Sequence, residues 1–235
     1  MTELVEVGYS DGQVDLVARH ARPQGPVRAA IAIYPTFMNS TPAVEAKALQ
    51  LVQAGYAVLI GDFYGPESPS SAEEAFAAMR NLRGNPQAMR QRLGATLDLL
   101  RQMEPDIPHL AVGFCLGGMA VLEMARDGQD LAAVCSFHGL LDTPLPATAP
   151  IKPRILICHG DADTLVSRSQ VMALWEEMDA VSAKWHFHSY AGVAHGFTNP
   201  RALDGSPNPA YDPSADRQSW AAMHSFFDEV LETVG

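Results

Sequence analysis

The stretch Leu110-Ala111-Val112-Gly113-Phe114-Cys115-Leu116-Gly117-Gly118-Met119 decides how this chain is read. An apolar, strand-like run ends at Phe114, and a helical pattern, Leu116–Arg126, opens directly behind one cysteine. Gly113 and Gly117, two residues either side of Cys115, let strand and helix backbones approach closely. This strand–turn–helix pattern is a nucleophile elbow, with cysteine where serine is more usual. At a helix N-terminus the dipole favours the thiolate form of such a residue. A buried structural cysteine beside a glycine-rich turn is the competing reading. The coincidence of strand, turn and helix weighs against it.

Upstream, strand-like runs at 4–9 and 14–18 flank the turn signal Asp11-Gly12 and read as an opening hairpin. Further strand-like runs follow at 29–34, 57–63, 110–114, 132–137, 154–158 and 184–190. Several are nearly continuous apolar runs, as expected of parallel strands covered on both faces. Helical patterns separate them at 41–54, 72–83, 86–103, 116–126, 167–180 and 215–234. In the last, Trp220, Met223, Phe226, Phe227 and Val230 recur at helical spacing and read as a packing face. The alternation predicts an α/β fold, a mostly parallel sheet with helices on both faces. No repeat or linker divides residues 1–235, so one domain without a large cap is expected.

Elbow enzymes place nucleophile, acid and base in that chain order. After the run 154–158 comes His159-Gly160-Asp161-Ala162-Asp163, and after the last strand comes Ala194-His195-Gly196-Phe197. Both loops leave strand C-terminal ends, the edge at which open sheets bind ligands. His195 is thereby the candidate base and one of two carboxylates the acid that orients it.

The motifs GFCLGG at 113–118, HGDAD at 159–163 with Val166 behind it, and AHGF at 194–197 together resemble the dienelactone hydrolase family, the carboxymethylenebutenolidases. CSFHG at 135–139, GDFYG at 61–65 and YDPSADRQSW at 211–220 extend the resemblance over nearly the whole chain. The resemblance implies an α/β-hydrolase fold and a triad on Cys115, Asp163 and His195. The acid falls on Asp163 rather than Asp161 because it lies three residues after Gly160 and three before Val166. The activity implied is hydrolysis of small activated esters or lactones through an acyl-enzyme, with a promiscuous action on phosphate triesters as a sub-reading. Founding members carry a glutamate after the third strand, where this chain has Tyr34-Pro35-Thr36-Phe37, and an arginine four residues after the histidine, where it has Asn199.

An oxyanion hole needs backbone donors, expected from Leu116 and from Thr36 or Phe37, since Pro35 has no N–H. Phe37, Tyr64, Phe76, His138 and Phe197 are candidate pocket walls, and Arg80, Arg83, Arg201 and Asn199 candidate contacts to substrate. His186 and His188 share a strand face without a third matched ligand and read as a solvated face. Cys135 and Cys158 fall in core strands and read as inert.

Composition narrows the rest. Lys and Arg number 16 against 27 Asp and Glu, a net charge of −11 that repels nucleic acid and anionic membrane surfaces. Three cysteines form no disulfide framework, and neither a secretory signal nor a membrane-length apolar run is visible, so a reducing cytoplasm is the expected location. No P-loop, dinucleotide fingerprint or zinc pattern appears, so neither cofactor nor metal is expected. The expected partner is a small-molecule ester or lactone, met by a monomer or homodimer. The rival readings are a non-catalytic ligand-binding module of the same fold and a redox sensor built on Cys115.

Overall fold

The computed structural model describes residues 3–202 and 205–234. The chain forms two compact units, Met1–Ala111 and Val112–Gly235, divided within a single strand.

In the first unit, β1 (Val5–Ser10) and β2 (Asp15–Ala21) form the expected hairpin. Its turn closes because the Asp11 carboxylate accepts the Gln13 and Val14 N–H groups at 2.8 and 2.7 Å, and Gly12 takes φ 89°. That φ lies where glycine alone avoids a Cβ clash. β2 pairs antiparallel with β4 (Tyr56–Ile60), and β4 pairs parallel with β3 (Ala29–Tyr34). Both parallel strands are fully buried, with α1 (Pro42–Gln53) against β4 and α3 (Pro86–Met103) against β3. α2 (Ala72–Gly84) packs on α3. β4 stops at Ile60, short of the expected Phe63, because Gly61 and Asp62 turn away into a loop knitted by the Asp62 carboxylate.

In the second unit, β5 (His109–Phe114) completes itself and leads into α4 (Leu116–Arg126). β6 (Ala133–Phe137), β7 (Arg154–Gly160) and β8 (Trp185–Tyr190) follow in parallel register. α5 (Arg168–Ala180) begins with a capping box between Ser167 and Gln170. α6 (Pro213–Val234) lies on β6 and β7. β6 is buried throughout because α4 also packs on it, whereas the edge strand β8 shows the alternating exposure of a half-solvated strand. His186 and His188 stand on its exposed face.

Within the first unit the strand order is β1-β2-β4-β3, with the antiparallel hairpin at one end, and within the second it is β5-β6-β7-β8. The mostly parallel strands with helices between them are those of an α/β-hydrolase fold. Among the described residues no helix is long and apolar enough to cross a membrane.

Candidate active site

The turn between β5 and α4 holds Cys115 at φ 56° and ψ −113°, a conformation that costs a side-chain-bearing residue about 1–3 kcal/mol. Surrounding contacts hold it there. The Cys115 N–H donates to the Phe137 carbonyl at 3.1 Å and to His138 Nδ1 at 3.1 Å. A Cβ on Gly113 would fall on the Gly117 carbonyl oxygen, and one on Gly118 would lie 2.7 Å from Gly139 Cα. The glycines of the motif therefore serve the close passage of α4 over β5 and of β6's end beside it. Cys115 is partly exposed, while Cys135 and Cys158 are buried. Burial, helped by its neighbour Cys158, pushes the Cys135 thiol up, so it stays protonated and inert.

Two loops meet beside the elbow. After β7, the Asp161 N–H reaches the Tyr190 carbonyl and the Ala162 N–H the Val193 carbonyl, both at 2.9 Å. Gly160 has no Cβ to strike the Val193 carbonyl oxygen, which permits this approach. The Asp163 carboxylate is 5% exposed, accepts the Leu165 N–H at 2.8 Å and lies 2.7 Å from His195 Nδ1. Asp161 turns outward instead and pairs with the exposed Arg168 at 2.8 Å. Of the two carboxylates in HGDAD, the one that meets the histidine is Asp163.

With Nδ1 committed to Asp163, His195 Nε2 is buried and lacks a well-aligned hydrogen bond. Burial opposes a charge on this ring, but the Asp163 hydrogen bond and the nearby Cys115 sulfur outweigh it. The His195 pKa is raised to about 10. His159, by contrast, is held below the usual histidine range by burial, and its Nδ1 is buried without a partner.

The remaining candidates divide. Leu116 opens α4, where the first N–H groups of a helix have no intrahelical carbonyl to bond. In the first unit, Thr36 and Phe37 lie in a tight turn closed by the Asn39 N–H on the Thr36 carbonyl at 2.9 Å. The Tyr64 hydroxyl donates to the Phe37 carbonyl at 2.9 Å, and the Phe76 ring lies 4.6 Å from the Phe37 ring. Phe76 is 45% exposed, and Arg80 is exposed on the same helix. In the second unit, Phe197 is fully buried against His138 and Tyr190, so it packs behind the loop rather than walling an open pocket. The Asn199 side chain accepts the Arg201 N–H at 3.2 Å and shapes its own loop. His138 is 2% exposed, too enclosed to serve as a pocket wall, with its Nε2 2.8 Å from Thr198 Oγ1. Thr198 carried no signal in the sequence, because a threonine directly after the AHGF motif has no motif of its own.

Comparison with known proteins identifies the family of the fold. The structure named m3DLH superposes with a TM-score of 0.89 at 33% identity, covering 97% of this chain and 98% of that one. A dienelactone hydrolase-like promiscuous phosphotriesterase from metagenomic libraries gives a TM-score of 0.89 at 27% identity, with 97% and 98% coverage. The carboxymethylenebutenolidase homolog of Mus musculus is 24% identical over 184 residues, 77% of this chain and 74% of that protein. The family model for the dienelactone hydrolase family matches residues 16–231. On that match, spanning almost the entire fold and all three loops of the site, the chain belongs to the dienelactone hydrolase family of hydrolases.

Proposed function

We propose that the chain hydrolyses small, activated, neutral esters or lactones, with Cys115 as nucleophile, His195 as general base and acid, and Asp163 as the group that orients it. One observation carries this reading. His195 Nδ1 is bound to buried Asp163 at 2.7 Å, which leaves Nε2 as the nitrogen available to the Cys115 sulfur. The imidazole pKa of about 10 supports a resting pair of thiolate and imidazolium, which dispenses with the glutamate missing after β3.

In this mechanism the Cys115 thiolate attacks the carbonyl carbon, and the carbonyl π electrons move onto oxygen. The Leu116 N–H, at the open start of α4, stabilises the oxyanion. Collapse expels the alkoxide, enolate or phenolate, which takes the proton from His195 Nε2. The neutral imidazole then removes a proton from water, and the resulting attack on the thioester releases the acid and restores the pair.

The test is turnover of p-nitrophenyl acetate by wild type and Cys115→Ala. The variant should lose roughly 10⁴-fold or more in kcat, by analogy with triad knockouts, while keeping its fold by circular dichroism. Near-normal turnover by the folded variant would remove Cys115 from the mechanism. A second reading, attack of the same thiolate on phosphorus in an activated phosphate triester, is favoured by the 27%-identical promiscuous phosphotriesterase. Paraoxon belongs in the same assay.

A further inference from the structure

His138 follows the last residue of β6, the strand beside the elbow strand. Its backbone takes φ 40°, rare for a residue with a side chain, and its N–H is tied to the Cys158 carbonyl at 2.8 Å. The side chain is 2% exposed, yet both ring nitrogens have polar partners. Nδ1 lies 3.1 Å from the Cys115 backbone nitrogen, which can only donate, so Nδ1 must be the unprotonated nitrogen. The proton of the neutral ring is then on Nε2 and is donated to Thr198 Oγ1 at 2.8 Å. The His138 ring also meets the His195 ring edge-on, with centroids 5.2 Å apart and planes at 66°.

We infer that His138 is a positioning residue, a neutral strut joining the nucleophile loop to the base loop by accepting from the Cys115 N–H and donating to Thr198. The inference rests on the proposed roles of Cys115 and His195. The Cys115 N–H is anchored at the strained residue itself, so the direction of the Cα–Cβ bond and the aim of the sulfur depend on it. Thr198 stands three residues beyond His195, so the far end of the strut holds the base loop in register. Two imidazoles this close cannot both be charged cheaply. The backbone donor keeps His138 neutral, and the charge is left to His195, which has Asp163 beside it. Burial and hydrogen bonding on both nitrogens leave His138 no free lone pair for substrate or water, so it takes no part in proton transfer.

The test compares His138→Phe, His138→Asn and Thr198→Val with wild type on p-nitrophenyl acetate. Asparagine can place an acceptor oxygen near the Nδ1 position and tolerates positive φ, so His138→Asn should stay within about fivefold of wild-type kcat. His138→Phe keeps the ring but has no acceptor. It should lose about 10²-fold in kcat with KM within about threefold, the scale expected when a reacting group is misplaced by about 1 Å. Thr198→Val should fall between them. The ultraviolet absorbance of the thiolate should drop in His138→Phe and return in His138→Asn, a readout that a packing role alone would leave unchanged. Equal activity and equal thiolate signal in Phe and Asn variants would overturn the strut. So would a loss in all variants that tracks only thermal stability. If Cys115→Ala is inactive and His138→Phe is fully active, the strut fails and the proposed nucleophile stands.

Discussion

His195 holds its proton to about pH 10 although burial alone would strip it earlier, because Asp163 and the Cys115 sulfur both favour the charged ring. In the unfolded chain a histidine titrates near 6.5. The folded state therefore binds more protons between about 6.5 and about 10, and the stability due to His195 is full below that window and lost as pH rises through it. The shift needs Cys115 in place, because its sulfur is one of the groups that raise the ring, so the comparison is made in the wild-type protein. The urea midpoint of that protein should exceed that of its His195→Gln derivative most near pH 6, with the gap shrinking toward pH 10. A gap that widens with pH would reverse the sign and overturn the assignment. The two carboxylates differ for an equally local reason. Asp163 is buried on the imidazole and Asp161 sits in an exposed ion pair with Arg168. Asp163→Asn should cost roughly 10²–10⁴-fold in kcat, since an amide does not hold the required tautomer. Asp161→Asn should change kcat less than about threefold, because exposed pairs contribute little. Reversed effects in steady-state kinetics would move the acid to Asp161.

The elbow is a feature of elements, the place where α4 is forced close over β5. Two glycines separate a structural need from a tolerance. Gly113 cannot gain a Cβ without striking the Gly117 backbone, and backbone cannot swing aside as a side chain can. Gly94, within α3, has nothing within 4 Å of where its Cβ would stand. Gly113→Ala should destabilise the protein by at least about 2 kcal/mol and suppress turnover. Gly94→Ala should stabilise it by about 0.5–1 kcal/mol through helix propensity and leave kcat unchanged. Chemical denaturation of the two variants beside wild type measures both. A Gly113→Ala protein with native stability and activity would mean that the elbow is looser than its geometry.

Across the whole molecule the net charge of −11 sets a field that slows the approach of anions. Recognition of a substrate carboxylate needs charge-assisted donors, best a bidentate arginine. Asn199 occupies the place where the family resemblance would put one, and its side chain is engaged with the Arg201 N–H. A neutral aryl ester or lactone should therefore show roughly tenfold or greater advantage in kcat/KM over a carboxylate-bearing dienelactone at matched salt. Added salt should narrow that difference by screening the field. A clear advantage for the anion would point instead to Arg80, Arg83 or Arg201 as its clamp.

The sequence by itself determined the element alternation, and most boundaries stand within one or two residues of the periodicity, from α3 at Pro86–Met103 to β3 at Ala29–Tyr34. Those elements are legible because apolar periodicity and caps such as Thr41, Ser71 and Ser167 are local signals. The elbow was legible for the same reason, its strand, glycines and helix being contiguous. Tertiary structure alone decided what depends on residues distant in the chain. It set the early end of β4, where the Asp62 carboxylate gathers the N–H groups of Val17, Tyr64 and Gly65. It turned Asp163 rather than Asp161 onto His195, a choice the sequence supported only through resemblance. It placed Phe197 behind the site and gave His138 its partners, because a hydrogen bond between residues 138 and 198 leaves no periodic trace in either segment.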